Sequence, residues 1–330
     1  MNEEQRIIGI TMGDPSGIGP EIILKSFNNP AVNGKKVLVI GDYDVMKAAS
    51  GILSNLDFKL ERVSSVKECT FSKDILNILD LGLTDMKTFQ KGVIQPASGN
   101  AAFRYIKKAV SLVMSKEISA IATAPLNKEA LHFAGHNYPG HTEILAGLTG
   151  TRDYTMLLHD RKLSVIHVST HISLLDAIKT LNGERIEKVI EMADTAMRKL
   201  VNGVPRIAVA GLNPHAGENG LFGMEEKNII APAVKKMKQK GFNVEGPVPP
   251  DTVFLHAVKG KYDIVVAMYH DQGHIPLKLL GFDSGVNITV GLPFVRTSVD
   301  HGTAFEIAWQ GIAREDSMTE AIRLAWELSK

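Results

Sequence analysis

Ile264-Val-Val-Ala-Met-Tyr-His-Asp-Gln-Gly-His-Ile-Pro-Leu-Lys278 begins as an unbroken apolar run and then releases His270, Asp271, His274 and Lys278 within a single short stretch. An apolar run of this kind reads as a strand buried on both faces, and open parallel sheets collect their ligands at the carboxyl ends of such strands. Two further stretches repeat the event: Val165-Ile-His-Val-Ser-Thr-His171 and Ile207-Ala-Val-Ala-Gly-Leu-Asn-Pro-His215. Three histidines delivered by the ends of three β-rich runs are what a metal site assembled by a sheet requires. Taken singly, each also fits a buried, hydrogen-bonded histidine. Imidazoles without a cysteine suit zinc, cobalt, manganese or nickel, or magnesium with added oxygen ligands. His167 would share a strand face with His171 and is the weaker ligand candidate of the two.

Working outward, short β-branched runs alternate with segments of helical period. Strands are predicted at Ile7–Met12, Lys36–Ile40, Ile75–Leu79, Ile118–Ala122, Tyr154–Leu158, Leu163–Val168, Arg206–Ala210 and Tyr262–Met268. Helices are predicted at Ala101–Ser115, Arg185–Leu200, Glu225–Lys240 and near Thr319–Leu328. This alternation predicts an α/β fold, a mostly parallel sheet with helices on its faces. A chain of 330 residues suggests two lobes or one large α/β unit. Lys plus Arg (37) balances Asp plus Glu (36), which excludes a broad attraction to nucleic acid or anionic membrane. The single Cys69 excludes an intramolecular disulfide and a cysteine-rich zinc site. Met1-Asn-Glu-Glu-Gln-Arg6 carries no leader pattern, and no apolar run reaches the length of a membrane span. A cytoplasmic protein is expected.

Three other segments carry candidate chemistry. Thr11-Met-Gly-Asp-Pro-Ser-Gly-Ile-Gly-Pro-Glu21 follows the first strand and opens a helix near Pro20. It is neither a P-loop nor a Gly-x-Gly-x-x-Gly fingerprint, and it fits an anion cradle or a tight structural turn equally well. Gly135-His-Asn-Tyr-Pro-Gly-His-Thr-Glu143 sets His141 and Thr142 at a helix amino end, where an anionic group is favoured; the plainer reading has Thr142 as a cap and His136 or His141 as solvated residues, but two histidines in one such loop favour ligand contact. Beyond the third histidine, Lys278, Asn287 and Arg296 form a basic and amide-bearing set suited to phosphate or carboxylate.

Thr11–Glu21, Pro139-Gly-His-Thr-Glu143, Gly211-Leu-Asn-Pro-His-Ala-Gly-Glu218, Tyr269-His-Asp-Gln-Gly273 and Gly291-Leu-Pro-Phe-Val-Arg-Thr-Ser-Val-Asp-His-Gly-Thr-Ala304 occur in this order. With them the chain resembles the 4-hydroxythreonine-4-phosphate dehydrogenase (PdxA) family from Thr11 through the last helix. The resemblance implies two α/β/α lobes like those of isocitrate and isopropylmalate dehydrogenases, with the active site in the cleft between them. It implies a homodimer whose active sites and metal are shared between subunits. Residues 1–140 plus 285–330 would form the cofactor-side lobe, and residues 141–284 the lobe with metal ligands and dimer interface. By the same resemblance His171, His215 and His270 are the ligands of one divalent metal ion per subunit. His141, Thr142, Lys278, Asn287 and Arg296 are substrate-binding, and Lys278 is the catalytic proton-transfer group. The implied reaction is NAD-dependent oxidation and decarboxylation of a small phosphorylated hydroxy acid. Thr123-Ala-Pro-Leu-Asn-Lys-Glu-Ala-Leu131, Ala134-Gly-His-Asn-Tyr-Pro-Gly-His141 and Ile166-His-Val-Ser-Thr-His171 are most similar to the branch acting on D-threonate or D-erythronate 4-phosphate. Alternatives are the vitamin B6 branch, which acts on 4-hydroxy-L-threonine 4-phosphate, and, in another class, a metal-dependent hydrolase or lyase of a phosphorylated acid.

Overall fold

The computed structural model describes residues 6–201, 203–281 and 285–330. Met1–Gln5, on which the absence of a leader was read, and residues 282–284, where the second lobe is expected to end, lie outside the described residues. Strands are β1 (Ile8–Thr11), β2 (Val37–Gly41), β3 (Lys59–Val63), β4 (Ile75–Asp80), β5 (Ala120–Thr123), β6 (Thr155–His159), β7 (Ser164–His167), β8 (Ile207–Ala210), β9 (Val244–Val248), β10 (Ile264–Ala267), β11 (Val286–Val290) and β12 (Val295–Val299). Helices are α1 (Gly19–Asn28), α2 (Tyr43–Ser50), α3 (Pro96–Met114), α4 (Lys128–Phe133), α5 (His141–Thr149), α6 (Leu174–Lys179), α7 (Gly183–Met197), α8 (Ala231–Gln239), α9 (Pro250–Val258), α10 (His270–Gly281) and α11 (Asp316–Leu328).

The chain divides into two units, residues 1–152 with 292–330 and residues 153–291. In the first, strands run in the order β3-β4-β2-β1-β5-β12, every adjacent pair parallel. β1, β2 and β5 are buried along their whole length, as continuous apolar runs dictate. The edge strand β3 is Lys-Leu-Glu-Arg-Val and mostly exposed, a charged edge that resists pairing with another chain. α3 starts on Pro96 and buries Ala102, Tyr105, Ile106, Ala109 and Val113, spaced to give one apolar stripe.

In the second unit the order is β11-β6-β7-β10-β8-β9. β7, β10, β8 and β9 are parallel, whereas β6 is antiparallel to both β7 and β11. The parallel run sets the ends of β7, β10 and β8 side by side. Those are the strands that precede His171, His270 and His215.

The unit boundaries fall at 152/153 and 291/292 rather than at 140/141 and 284/285. α5 belongs with the first unit because Ile144 and Leu145 join its apolar core. β11 belongs with the second because it pairs with β6 along its length. His141 and Thr142 therefore sit in the first unit, and Asn287 in the second. No helix among the described residues is long and apolar enough to cross a membrane.

Candidate functional site

In the second unit, backbone and side chain together lock the three histidine loops. Ser169 Oγ donates to the carbonyl of Met268 at 2.9 Å, joining the segment after β7 to that after β10. Gln272, 8 % exposed, accepts the Met268 N–H at 2.7 Å and donates to the Gly211 carbonyl at 2.7 Å, joining the segments after β10 and β8. His171 lies beyond the end of β7 with a left-handed φ of 47°, so its direction is set by that turn and not by strand alternation with His167.

The rings of His171 and His270 lie with centroids 5.7 Å apart, tilted by 40°, beside a hollow of about 240 Å³ also lined by Ser169, Tyr269 and Asp271. His270 Nδ1 lies 2.6 Å from Asp271 Oδ1. A carboxylate can only accept, so Nδ1 donates to it and Nε2 is the nitrogen left for a ligand, the usual arrangement of a metal-ligating imidazole. The hydrogen bond from His270 holds the Asp271 carboxyl below its ordinary range.

Behind His270 a second imidazole pair fixes its own tautomers. His167 Nδ1 lies 3.2 Å from the Met156 carbonyl and must donate to it, so His167 Nε2 accepts from His274 Nδ1 at 3.2 Å. His274 Nδ1 is also 3.1 Å from the His270 carbonyl, and its ring stacks on that of His270 at 3.5 Å. Burial and then the neighbouring imidazoles push His274 down to about 3; burial also lowers His167, to about 4, so both stay neutral. His270, His274 and Lys278 recur at helical spacing along α10, and Lys278 is near enough to add to the lowering at His274. Asn287 lies on β11 opposite Leu158, with an enclosed Oδ1 that has no hydrogen-bond partner.

His215 stands apart from this pair. It follows β8 in a turn of left-handed residues, more than half exposed, with Nδ1 4.0 Å from Asp251 Oδ2 and its ring near Phe222. Among the described residues no three His, Cys, Asp or Glu side chains come close enough to hold one metal ion. The expected three-histidine set is thus not gathered by the described residues of one chain. What one chain brings together is the pair His171 and His270.

In the first unit, Arg296 on β12 is 2 % exposed and donates from Nη2 to Thr123 Oγ1 at the end of β5, at 2.7 Å. Burial lowers Arg296 and the Glu143 carboxylate opposes the shift. His141 opens α5; its residue surface is partly accessible, but its Nε2 is enclosed and without a partner. Burial, and then the charges of Arg296 and Lys128, hold His141 well below its ordinary value, so it is neutral and donates to the Ala124 carbonyl. The cap of α5 is Gly140 with no side-chain bond, so Thr142 is not the cap. His136 stacks on Phe103 at 3.9 Å and meets Asn100 Oδ1 at 3.0 Å, contacts that pack the loop against α3. Thr123 is the residue that sequence reading passed over here: a strand-end hydroxyl has no signal of its own.

The Thr11–Glu21 segment is a tight structural turn. A Cβ on Gly13 would stand 2.3 Å from the Pro125 carbonyl oxygen, and one on Gly19 2.3 Å from that of Met12. Trp309 Nε1 donates to the Pro15 carbonyl at 3.1 Å, and Glu21 accepts the Trp309 and Gly311 N–H groups. Asp14, fully buried, accepts the Ser16 N–H on Oδ1 at 2.8 Å while Oδ2 has no partner, and burial raises its carboxyl to about 7.

The family model "Pyridoxal phosphate biosynthetic protein PdxA" matches residues 33–325. The chain belongs to the PdxA family. It is 55 % identical to the D-threonate 4-phosphate dehydrogenase of Pectobacterium atrosepticum, over 98 % of this chain and 99 % of that protein. It is 50 % identical to the D-threonate 4-phosphate dehydrogenase of Cupriavidus necator, over 100 % of this chain and 99 % of the other. Among solved structures, 4-hydroxythreonine-4-phosphate dehydrogenase from Klebsiella pneumoniae superposes with a TM-score of 0.90 at 54 % identity, covering 98 % of this chain and 100 % of the other. This PdxA-family fold is shared at 28 % identity and TM-score 0.71 with a terephthalate 1,2-cis-dihydrodiol dehydrogenase from Burkholderia xenovorans. These relatives are dehydrogenases by name, in keeping with an oxidoreductase and not with a hydrolase or lyase.

Proposed function

We propose that this PdxA-family protein oxidises and decarboxylates D-threonate 4-phosphate with NAD, giving dihydroxyacetone phosphate, carbon dioxide and NADH. The observation that carries the reading is the neighbouring pair His171 and His270 beyond adjacent strand ends, with Asp271 engaging His270 Nδ1 so that Nε2 is the nitrogen left to ligate. Imidazole nitrogens fit a divalent cation, and one chain supplies two such rings. His215 of a second copy completes the set, which is why the protein works as a homodimer with shared sites, its interface on the second unit. Bound there, a cation supplies a Lewis acid for the alcohol and the ketone that replaces it. The remaining roles belong to the chain's own side chains. Arg296, His141 and Thr142 hold the anionic ends of the substrate, Arg296 through the planar fork that suits phosphate or carboxylate. Asn287 hydrogen-bonds a substrate hydroxyl, and Lys278 transfers the proton that leaves the alcohol and returns to the enolate carbon. The first unit is the cofactor side, and the setting is the cytoplasm, where phosphorylated acids and NAD occur together.

One second reading has an observation behind it: the Klebsiella pneumoniae structure, equally similar, is named for 4-hydroxythreonine 4-phosphate. The two substrates differ at the α carbon, hydroxyl against ammonium. An ammonium would add a positive charge beside the proposed cation and Lys278, with Asp271 already committed to His270. The test is NADH formation, followed by absorbance, with both compounds. A kcat/KM at least about tenfold higher for D-threonate 4-phosphate, roughly 1.4 kcal/mol of transition-state preference, is expected. The reverse order assigns the protein to the other substrate.

A further inference from the structure

Resting on the reading of His215 as a cation ligand, we infer that Glu226 is its positioning residue, acting through the turn that carries it. The turn is unusual. His215, Ala216, Gly217, Glu218 and Asn219 have φ of 51°, 55°, 78°, 43° and 58°, a run of left-handed residues in which only one is glycine. Side chains other than glycine avoid this conformation, so something outside the turn must impose it.

Glu226 does so. It is 4 % exposed and opens the short π-turn Glu226–Ile230, a distortion that recurs where helices serve a site. Its Oε1 accepts the N–H groups of Leu212 and Asn213, both at 2.7 Å, where β8 has ended and no strand partner is left for them. Its Oε2 accepts from Asn213 Nδ2 at 3.0 Å, and Glu225 Oε2 takes the same amide at 2.7 Å. The Asn213 carbonyl accepts the Ala216 N–H at 3.1 Å, which starts the left-handed run. The glycines make room for the carboxylate: a Cβ on Gly217 would stand 2.7 Å from Oε2, and one on Gly211 3.3 Å from Oε1. One buried carboxylate thus holds the leading shoulder of the turn at Leu212 and Asn213 and lies close against Gly217 within it, and His215 projects as an exposed imidazole.

A glutamine at 226 has one acceptor oxygen in place of two and turns an N–H toward the Asn213 amide. The test uses full-length Glu226→Gln and Asn213→Ala, with His215→Ala as reference, and Co2+ as the probe. Affinity is read by competition with a chromophoric chelator, and ligand geometry by the visible absorption of bound Co2+. Loss of a group that orients a ligand weakens metal binding about 10–100-fold. Glu226→Gln is expected to show that loss with a Co2+ spectrum moved toward that of His215→Ala, and Asn213→Ala a smaller loss in the same direction. Urea unfolding of the metal-free proteins shows which variants are folded, and a folded Glu226→Gln with wild-type affinity and spectrum overturns the inference. Should Glu226→Gln not fold, wild-type Co2+ binding by Asn213→Ala overturns it instead. If His215→Ala itself binds Co2+ like the wild type, the ligand reading fails and the positioning role falls with it.

Discussion

Replacing Asp14 by asparagine should change how stability depends on pH. Burial raises the Asp14 carboxyl from 3.8 to about 7, because Oδ2 has no partner and only the Ser16 N–H supports the charged form. A folded-state value above the unfolded one means that the folded protein holds the proton more tightly. The stability is then fully present below about pH 4 and is lost as pH rises through about 7. A shift of roughly 3 units at about 1.4 kcal/mol per unit comes to about 4 kcal/mol in all, of which about 2–3 kcal/mol falls between pH 5 and pH 8. Asparagine keeps the acceptor for Ser16 and cannot ionise. It does place an amide N–H2 where Oδ2 had no partner, at a cost of about 1–3 kcal/mol, but that offset is independent of pH. The slope therefore carries the test. Urea unfolding of wild type and Asp14→Asn across pH 5 to 8 at fixed ionic strength, with the difference plotted against pH, cancels every other titrating group. The variant should gain on the wild type by about 2–3 kcal/mol over that range. Parallel curves would refute the reasoning and mean that Asp14 is ionised in the folded protein.

Two further outcomes follow from the separate sets of residues. Arg296→Met should weaken inhibition by inorganic phosphate and lower kcat/KM about 100-fold, the loss of a buried charge-assisted contact, with the metal content of the protein unchanged; an unaltered phosphate constant would remove Arg296 from the anion site. If the proposed cation site takes His171 and His270 from one chain and His215 from its neighbour, mixing inactive His215→Ala with inactive His270→Ala should recover up to about a quarter of wild-type activity through hybrid dimers, whereas His171→Ala with His270→Ala should recover none. Equal recovery in both mixtures, or none in either with exchange demonstrated, would mean that the histidines are partitioned differently.

The legible parts of the fold were those written in apolar runs. β7, β8 and β10 are fully buried, so their composition alone marks them, and their carboxyl ends gave the three histidines. β3 and β9 carry no such run because edge strands need not be apolar: one is mostly charged, the other Val-Glu-Gly-Pro-Val. β11 and β12 are masked by their polar residues Asn287 and Arg296, although Val-Asn-Ile-Thr-Val and Val-Arg-Thr-Ser-Val alternate as strands do. The helix carrying His270, His274 and Lys278 was hidden by Pro276 inside it, yet the regular spacing of those three was its signature. Nothing local could have revealed Glu226 or Gln272 as organisers of the histidine loops. Apart from the Asn213 amide, their partners are backbone groups, which have no letter in a sequence.

The first unit is written in two pieces, residues 1–152 and 292–330, with the whole of the second unit between them. This sets an order of birth. On the ribosome β5 is made early, but β12, which pairs with it, and α11, which packs against both, emerge only after every strand of the second unit. Until then β5, Ala-Ile-Ala-Thr, is an open and mainly apolar edge with none of the charge that guards β3 at the other side, the kind of surface that invites wrong partners. The segment that closes this edge also brings Arg296. A nascent chain therefore gains its buried guanidinium and its finished sheet in one event, and a chain cut short before residue 292 leaves the amino-terminal unit, not the one nearest the cut, incomplete.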